Sequence, residues 1–291
     1  MKIAVIYGPT AVGKSDIAVM LAKKINAEII SADSMQIYKD LDIGTAKITE
    51  EEMQGIAHHL LNIRDSSQTY SVFEYVNDCK NCICDIQSRG KNVVIVGGTG
   101  LYIKALTENY NYANIDKDEK LREYLNTLTT QELVNKLNKL NIQVKNDDKN
   151  NKQRLMRYYE IHSSNGVMQK GEFDNNYVIF GLVDDRQKLY DRINKRVDAM
   201  IQNGLIEETK YVLSNANPDN QCLKAIGYKE LIPYINGTSS LNECIDILKQ
   251  KSRNYAKRQI TFMNQFKNIN KIEITSKEEA VLQIFDILNQ K

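Results

Sequence analysis

The sequence predicts a doubly wound α/β fold, a mostly parallel sheet flanked by helices, carrying a small all-helical insertion. Three observations lead there. Short aliphatic runs alternate with helical patterns, a glycine-rich turn joins the first run to the first helix, and one polar stretch shows helical periodicity with no strand signal. The strand-like runs cover 2–7, 27–31, 92–96, 177–183 and 271–275. Near-continuous apolar runs mean strands buried on both faces. Helices over 15–25 and 72–88 lie between them, the second on a stripe of Val72, Tyr75, Val76, Cys79, Ile83 and Ile86. From 112 to 176 the chain is rich in Asn and Lys, with Leu121, Tyr124, Leu125 and Leu128, then Leu133, Leu137 and Leu140, at helical spacing. The expected organisation is a core formed by 1–111 and 177–291 around an insertion at 112–176. After the fourth strand helices dominate: Val197, Met200 and Ile201 close one before Gly204, and 241–266 forms a long one.

Composition narrows the function classes. At 291 residues, 42% apolar and 26% charged, the chain buries a sizeable core and is neither disordered nor fibrous. No run approaches the roughly 18 apolar residues of a membrane span, and the stretch at 3–7 is too short for a signal-peptide core, so a cytoplasmic protein is expected. A net charge of +2 does not by itself announce a nucleic-acid partner. Distribution matters more: between Ile247 and Ile272 no acidic residue accompanies Lys249, Lys251, Arg253, Lys257, Arg258, Lys267 and Lys271. That window is either a phosphate-facing surface or a solvated helix face with countercharges from elsewhere. Five cysteines make no disulfide framework, and Cys79, Cys82 and Cys84 lie on or beside an apolar helical stripe, so no structural zinc is expected. His58 and His59 read as structural hydrogen-bonding residues.

The strongest chemical signal is Gly8-Pro9-Thr10-Ala11-Val12-Gly13-Lys14-Ser15, which follows a buried strand and opens an amphipathic helix. In such a loop backbone amides and the helix N-terminus face a phosphate, Lys14 adds a point charge and Ser15 offers a hydroxyl to Mg2+. The core is then P-loop NTPase-like. With no N-K-x-D or D-x-x-G signature a GTPase is disfavoured, while kinases stay open. Asp33 stands just beyond the second strand, where open α/β sheets bind ligands.

Further blocks follow in order: Ser31-Ala32-Asp33-Ser34-Met35-Gln36-Ile37-Tyr38, Asp42-Ile43-Gly44-Thr45-Ala46-Lys47, His58-His59-Leu60, Tyr70-Ser71-Val72, Val96-Gly97-Gly98-Thr99-Gly100-Leu101-Tyr102, Ala225-Ile226-Gly227-Tyr228-Lys229-Glu230 and Tyr255-Ala256-Lys257-Arg258-Gln259. With the phosphate loop ahead of them, the chain resembles the bacterial tRNA dimethylallyltransferase family, also called isopentenyl-tRNA transferase, from Ile3 to about Phe266. The resemblance implies transfer of a dimethylallyl group from dimethylallyl diphosphate to the exocyclic amine of the adenosine 3′ of the anticodon, in tRNAs reading codons that begin with U. It further implies that the phosphate loop holds a diphosphate leaving group with Mg2+, that Asp33 is the general base, and that Thr99 and Arg196 lie at the reacting groups. By the same resemblance Asp33, Ser34, Met35, Gln36 and Thr99 meet the target base, while Arg122 and Gln153, Arg154, Leu155, Met156 and Arg157 contact tRNA. It also implies a monomer. Ile48 and Ser66 stand where that family usually has proline, Phe262 where it has tryptophan, and Lys152-Gln153-Arg154 where it has paired arginines. A phosphate-loop kinase or a non-catalytic tRNA-binding protein are the competing classes.

Overall fold

A computed structural model of the chain describes residues 2–109, 119–163, 171–215 and 220–290. The strands are β1 (Ile3–Tyr7), β2 (Ala27–Ser31), β3 (His58–His59), β4 (Asn92–Gly97), β5 (Tyr177–Val183) and β6 (Ile269–Glu273). They form one sheet in the order β3-β2-β4-β1-β5-β6, every pairing parallel. All of β1 and β2 is buried; β1 is an unbroken apolar run, whereas β2 carries Glu28 and ends on Ser31. The sequence places the last strand two residues late, and for a physical reason. β6 is an edge strand in which only Ile272 is buried, so it lacks the hydrophobic run that marks a central strand.

The helices of the core are α1 (Lys14–Ile25), α2 (Glu50–Met53), α3 (Val72–Ser88) and α4 (Gly100–Thr107) in the first part of the chain. Three helices, α5 (Glu119–Thr127), α6 (Thr130–Lys139) and α7 (Lys152–Ser163), follow in a second compact unit, Glu108–Phe173. The chain then returns to the first unit with α8 (Arg186–Gln202), α9 (Leu205–Asn215), α10 (Tyr228–Ile235), α11 (Leu241–Met263) and α12 (Lys277–Asn289).

Crossovers from β1 to β2 and from β2 to β4 run in opposite directions along the sheet, so right-handed connections place α1 and α3 on opposite faces. On the α1 side, Ala4, Ile6, Ile29, Val94, Phe180 and Leu182 pack with Ile17 and Leu21 of α1 and Ile284 and Leu288 of α12. Each Val, Ile, Leu or Phe side chain among them contributes roughly 1.5–3 kcal/mol on burial. On the other side, Tyr75 of α3 stacks on Tyr102 of α4 with ring centroids 4.2 Å apart. Cys79 lies buried on the same stripe, and burial pushes its thiol up to about 12, so it packs as a small apolar group.

Within the second unit Leu125, Leu133, Val134, Leu137, Leu155 and Met156 form a small core. Tyr124, read from the periodicity as part of the stripe, is instead 46% exposed, with Lys136 Nζ 5.2 Å from its ring centroid. A phenol fits this position because its ring covers the lysine while its hydroxyl meets water.

One charge interrupts the apolar run of β2. Glu28 is buried and accepts hydrogen bonds from Arg89 Nη1 and Nη2 at 2.5 and 2.8 Å and from Lys91 Nζ at 2.8 Å, with His59 Nε2 at 2.7 Å. His58 Nδ1 lies 2.9 Å from the Ile56 carbonyl, and burial lowers its pKa. Arg89, then the other two partners, hold the Glu28 carboxyl well below the usual carboxylate range despite its burial. Its stabilisation is therefore present above pH ~4.3 and is lost as pH falls toward the lower folded-state value. Glu28→Gln is expected to destabilise the core by about 1–3 kcal/mol at neutral pH. In urea unfolding the gap from wild type should narrow by about 1.4 kcal/mol per pH unit below ~4.3. A gap unchanged between pH 6 and 3 would contradict this origin.

Candidate active site

The phosphate loop leaves β1 at Tyr7 and reaches α1 through two left-handed residues, Ala11 (φ 62°) and Gly13 (φ 94°). A side chain at Gly8 would press on Val12 Cγ1 and Leu182 Cβ at 3.1 and 3.2 Å, so the loop packs down on the neighbouring strand end. Helices α3, α6 and α11 each begin with a capping box that satisfies their first N–H groups. Helix α1 has Gly13 as its N-cap, with no side chain to cap its first-turn donors or offset its partial positive charge, the arrangement in which a helix start favours an anion.

Two cations flank that end. Lys14 Nζ donates to Pro9 O at 2.7 Å, and Arg196 of α8 donates from Nη1 to Thr10 Oγ1 at 3.2 Å and from Nη2 to Thr45 O at 3.3 Å. One turn earlier on α8, Arg192 Nε donates to Ala11 O at 2.9 Å and its guanidinium pairs with Asp184. Burial, then the nearby Arg196 charge, pulls Lys14 down to about 7 against a raising effect of Asp33. Burial also lowers Arg196.

Asp33 and Thr99 approach from the ends of β2 and β4. Asp33 Oδ1 accepts from Met35 N at 2.9 Å, an Asx turn that fixes its side chain. Thr99 Oγ1 accepts from Ser34 N at 3.0 Å and donates to Ser34 Oγ at 3.3 Å, and Thr99 N donates to Ala32 O at 3.1 Å. The two loops touch because residue 97 is glycine: a Cβ there would lie 2.1 Å from Ala32 O. Gln36 donates from Nε2 to Thr45 O and Ala46 O, both at 3.3 Å, so its amide braces a neighbouring loop.

Lys14, Arg196, Asp33, Ser34 and Gln36 line one cavity of about 340 Å³ within the first unit, while Thr99 and Arg192 stand behind its wall, Thr99 bonded to Ser34 and Arg192 to the phosphate loop. Thr10, Lys14, Ser15 and Arg196 form its cationic, hydroxyl-bearing end, Asp33, Ser34 and Met35 another wall, and Ile48, Ile193, Val197, Met200, Ile226 and Leu248 an apolar wall. Ser15 is exposed at the start of α1 and lines the cavity beside Lys14. The basic window divides between both readings. Lys249 pairs with Asp198 at 2.6 Å and Arg253 donates to Asn194 Oδ1 at 2.6 Å, tying α11 to α8, whereas Arg258 lines the cavity and Lys251, Lys257, Lys267 and Lys271 are exposed.

The remaining sequence-derived residues belong to the second unit. Arg122 Nε and Arg157 Nη1 meet the two oxygens of buried Glu160 at 3.1 and 3.2 Å. Arg154 pairs with Asp148, which also accepts from Tyr158 Oη at 2.9 Å, and Gln153 is exposed. Leu155 and Met156 require correction as tRNA contacts: both are fully buried in the unit's core, so they pack the helix that presents Gln153, Arg154 and Arg157.

A family model described as IPP transferase matches residues 36–266. The chain belongs to the IPP transferase family. It is 42% identical to a tRNA dimethylallyltransferase of Streptococcus pyogenes, covering 100% of this chain and 98% of that one. Among solved structures it resembles the tRNA isopentenylpyrophosphate transferase of Bacillus halodurans (40% identity, TM-score 0.77, 99% of this chain and 95% of that one). It also resembles a eukaryotic dimethylallyltransferase described as acting on tRNA (27% identity, TM-score 0.81, 100% and 80%).

In this member of the family one positioning residue gives no sequence signal. Glu208 looks like an ordinary charge of α9, yet Oε2 accepts from Asp42 N and Ile43 N at 3.0 and 2.8 Å, and Oε1 from Gly44 N at 2.8 Å and Tyr228 Oη at 2.7 Å. A Cβ on Gly44 would come within 2.6 Å of Tyr228, so the glycine makes room for the ring. The clamp holds Thr45, whose carbonyl receives both Arg196 and Gln36.

The cation pair makes a linkage prediction. With Lys14 near 7 in the free protein, an anion bound beside it raises that value, so binding takes up a proton at pH 8 and affinity falls as pH rises above ~7. Calorimetry of inorganic pyrophosphate binding in buffers of different ionisation enthalpy should show more proton uptake by wild type than by Lys14→Arg at pH 8. Equal uptake would mean that Lys14 is already charged in the free protein.

Proposed function

We propose that the chain is a tRNA prenyltransferase that moves the dimethylallyl group of dimethylallyl diphosphate to the exocyclic amine of the adenosine 3′ of the anticodon, in tRNAs reading codons that begin with U, and releases diphosphate. The observation that carries this reading is the single cavity joining an anion-binding end at Lys14 and Arg196, an apolar wall and the Asp33 carboxylate. An allylic diphosphate needs the first two features and a weakly nucleophilic aryl amine needs the third.

The chemistry follows from that layout. As the allylic C–O bond breaks, its electron pair leaves on a diphosphate oxygen, where Lys14, Arg196 and the first N–H groups of α1 stabilise the growing charge. The amine nitrogen forms the new C–N bond and its proton passes to Asp33. Thr99, held against Ser34, orients the amine. Ser15 fits Mg2+: it offers a hard hydroxyl oxygen at the anion end, and Mg2+ takes one or two protein ligands plus phosphate oxygens and waters. When bound, the ion supplies further charge stabilisation to the departing diphosphate. No phosphoryl group moves.

The target base must leave its stack to reach such a cavity, at a cost of a few kcal/mol. Asp33 to Met35 line the pocket that would receive it, and Arg122, Gln153, Arg154 and Arg157 of the second unit provide tRNA contacts. The exposed lysines of α11 and its C-terminal flank add a phosphate-facing surface. This reading places a single chain in the cytoplasm.

Labelled donors test the reaction directly. Protein with Mg2+, unmodified tRNA and dimethylallyl diphosphate should place isoprenoid label on the adenosine 3′ of the anticodon, whereas phosphate label moving from ATP to an acceptor would establish a kinase instead. Asp33→Ala is expected to lower turnover by about 10²–10⁴-fold with tRNA affinity within a few-fold. Intact turnover with a large loss of binding would remove the general-base role.

A further inference from the structure

Among the described residues, Gln259 is the one buried amide that reaches both halves of the site, and neither the phosphate loop nor the Asp33–Thr99 pair accounts for it. It lies on α11 with 4% of its surface exposed. Its Oε1 accepts from Thr10 N at 2.8 Å and its Nε2 donates to Gly98 O at 2.9 Å. Its backbone carbonyl accepts from Tyr7 Oη at 2.8 Å, at the end of β1. Gly98 makes room for it, since a Cβ at that position would lie 2.2 Å from Nε2. The carboxamide therefore bridges the phosphate loop and the loop of Thr99.

We infer that Gln259 is a positioning residue for prenyl transfer, a strut whose carboxamide sets the separation between the diphosphate-binding loop and the loop carrying Thr99. The inference rests on the proposed transferase function. Each end of the strut connects to reacting groups in one further step. Thr10 receives Arg196 on its hydroxyl, and Thr99 holds the backbone of Ser34 beside Asp33. A shift along this line changes the distance between electrophile and acceptor amine without removing any ligand of either, and a misplacement of about 1 Å costs on the order of a hundredfold in rate.

The chemistry of the bridge explains why an amide is needed. One partner is an N–H and the other a carbonyl, so the bridging side chain must accept at one end and donate at the other. Methionine has nearly the same shape and does neither. Glutamate accepts from Thr10 N when ionised but then sets an anionic oxygen against Gly98 O. Protonated, it regains a donor and restores both bonds.

The test compares Gln259→Met and Gln259→Glu with wild type at saturating dimethylallyl diphosphate and tRNA, with circular dichroism confirming the folded state at each pH. Gln259→Met is expected to lower kcat about a hundredfold while the Kd values for inorganic pyrophosphate and for tRNA stay within about threefold. Activity of Gln259→Glu relative to wild type should rise as pH falls from 8 to 6, and the Gln259→Met ratio should stay flat. A kcat for Gln259→Met within threefold of wild type, a loss matched by weakened pyrophosphate or tRNA binding, or a Gln259→Glu ratio independent of pH would each overturn the strut. A wild-type protein that transfers no prenyl group removes the proposed function and this inference together, whereas an active wild type with unaffected variants removes the inference alone.

Discussion

The site depends on how closely three strand ends can approach. Parallel pairing sets Tyr7 of β1 opposite Gly97 of β4, and Ser31 of β2 opposite Val96, so the loops that follow begin level with one another. Backbone then meets backbone: Ala32 N donates to Val96 O and Thr99 N donates to Ala32 O, an arrangement open only to glycine at 97. Any Cβ would force the Asp33 loop away from Thr99. The phosphate loop needs its own close approach, with Gly8 pressed between Val12 and Leu182. A doubly wound sheet offers a crevice at its carboxyl edge, and these glycines narrow it to the scale of one reaction.

The electrostatics of that crevice run against the stability of the isolated protein. Lys14 and Arg196 are held near each other in a partly buried place, and burial lowers both. The opposing pull of Asp33 offsets this in part, but Asp33 lies on another loop and keeps its own hydrogen bond to Met35 N. Backbone and hydroxyl acceptors at Pro9, Thr10 and Thr45 fix the two cations in place without neutralising them. An arrangement of this kind stores a preference for a polyanion in the fold itself, because the fixed dipoles need no reorganisation when charge develops on a leaving group.

The sequence revealed the sheet wherever burial was complete and lost it where burial stopped. β1 and β5 are continuous apolar runs and β2 is fully buried around its one charge, Glu28, whereas β6 buries Ile272 alone and β3 has only two residues, one of them bound to Glu28. At the site, the glycine spacing made the phosphate loop legible, and Asp33 stood at a strand end where position alone suggests chemistry. Arg196 could be recognised only through resemblance, since its helix carries many charges. Glu208 and Gln259 illustrate the general limit. Their backbone partners lie more than 160 residues away, and no local pattern encodes which distant N–H or carbonyl a side chain will meet.

Polar side chains around the cavity fall into two sets. Arg192, Gln36, Glu208 and Gln259 spend their hydrogen bonds on the protein's own loops, and each has a partner at both ends of its head group or on several backbone atoms. Asp33 and Lys14 behave differently. Among the described residues, Asp33 has a protein donor on Oδ1 alone, and Lys14 uses one of its three donors on Pro9 O. Because a half-buried polar group with spare capacity is costly unless something fills it, the second set is where the proposed function puts substrate atoms. The first set fixes the distance between them. A shift of the braced set moves the reacting groups, which is why a buried glutamine whose carboxamide is bonded to two loops can matter to the chemical step.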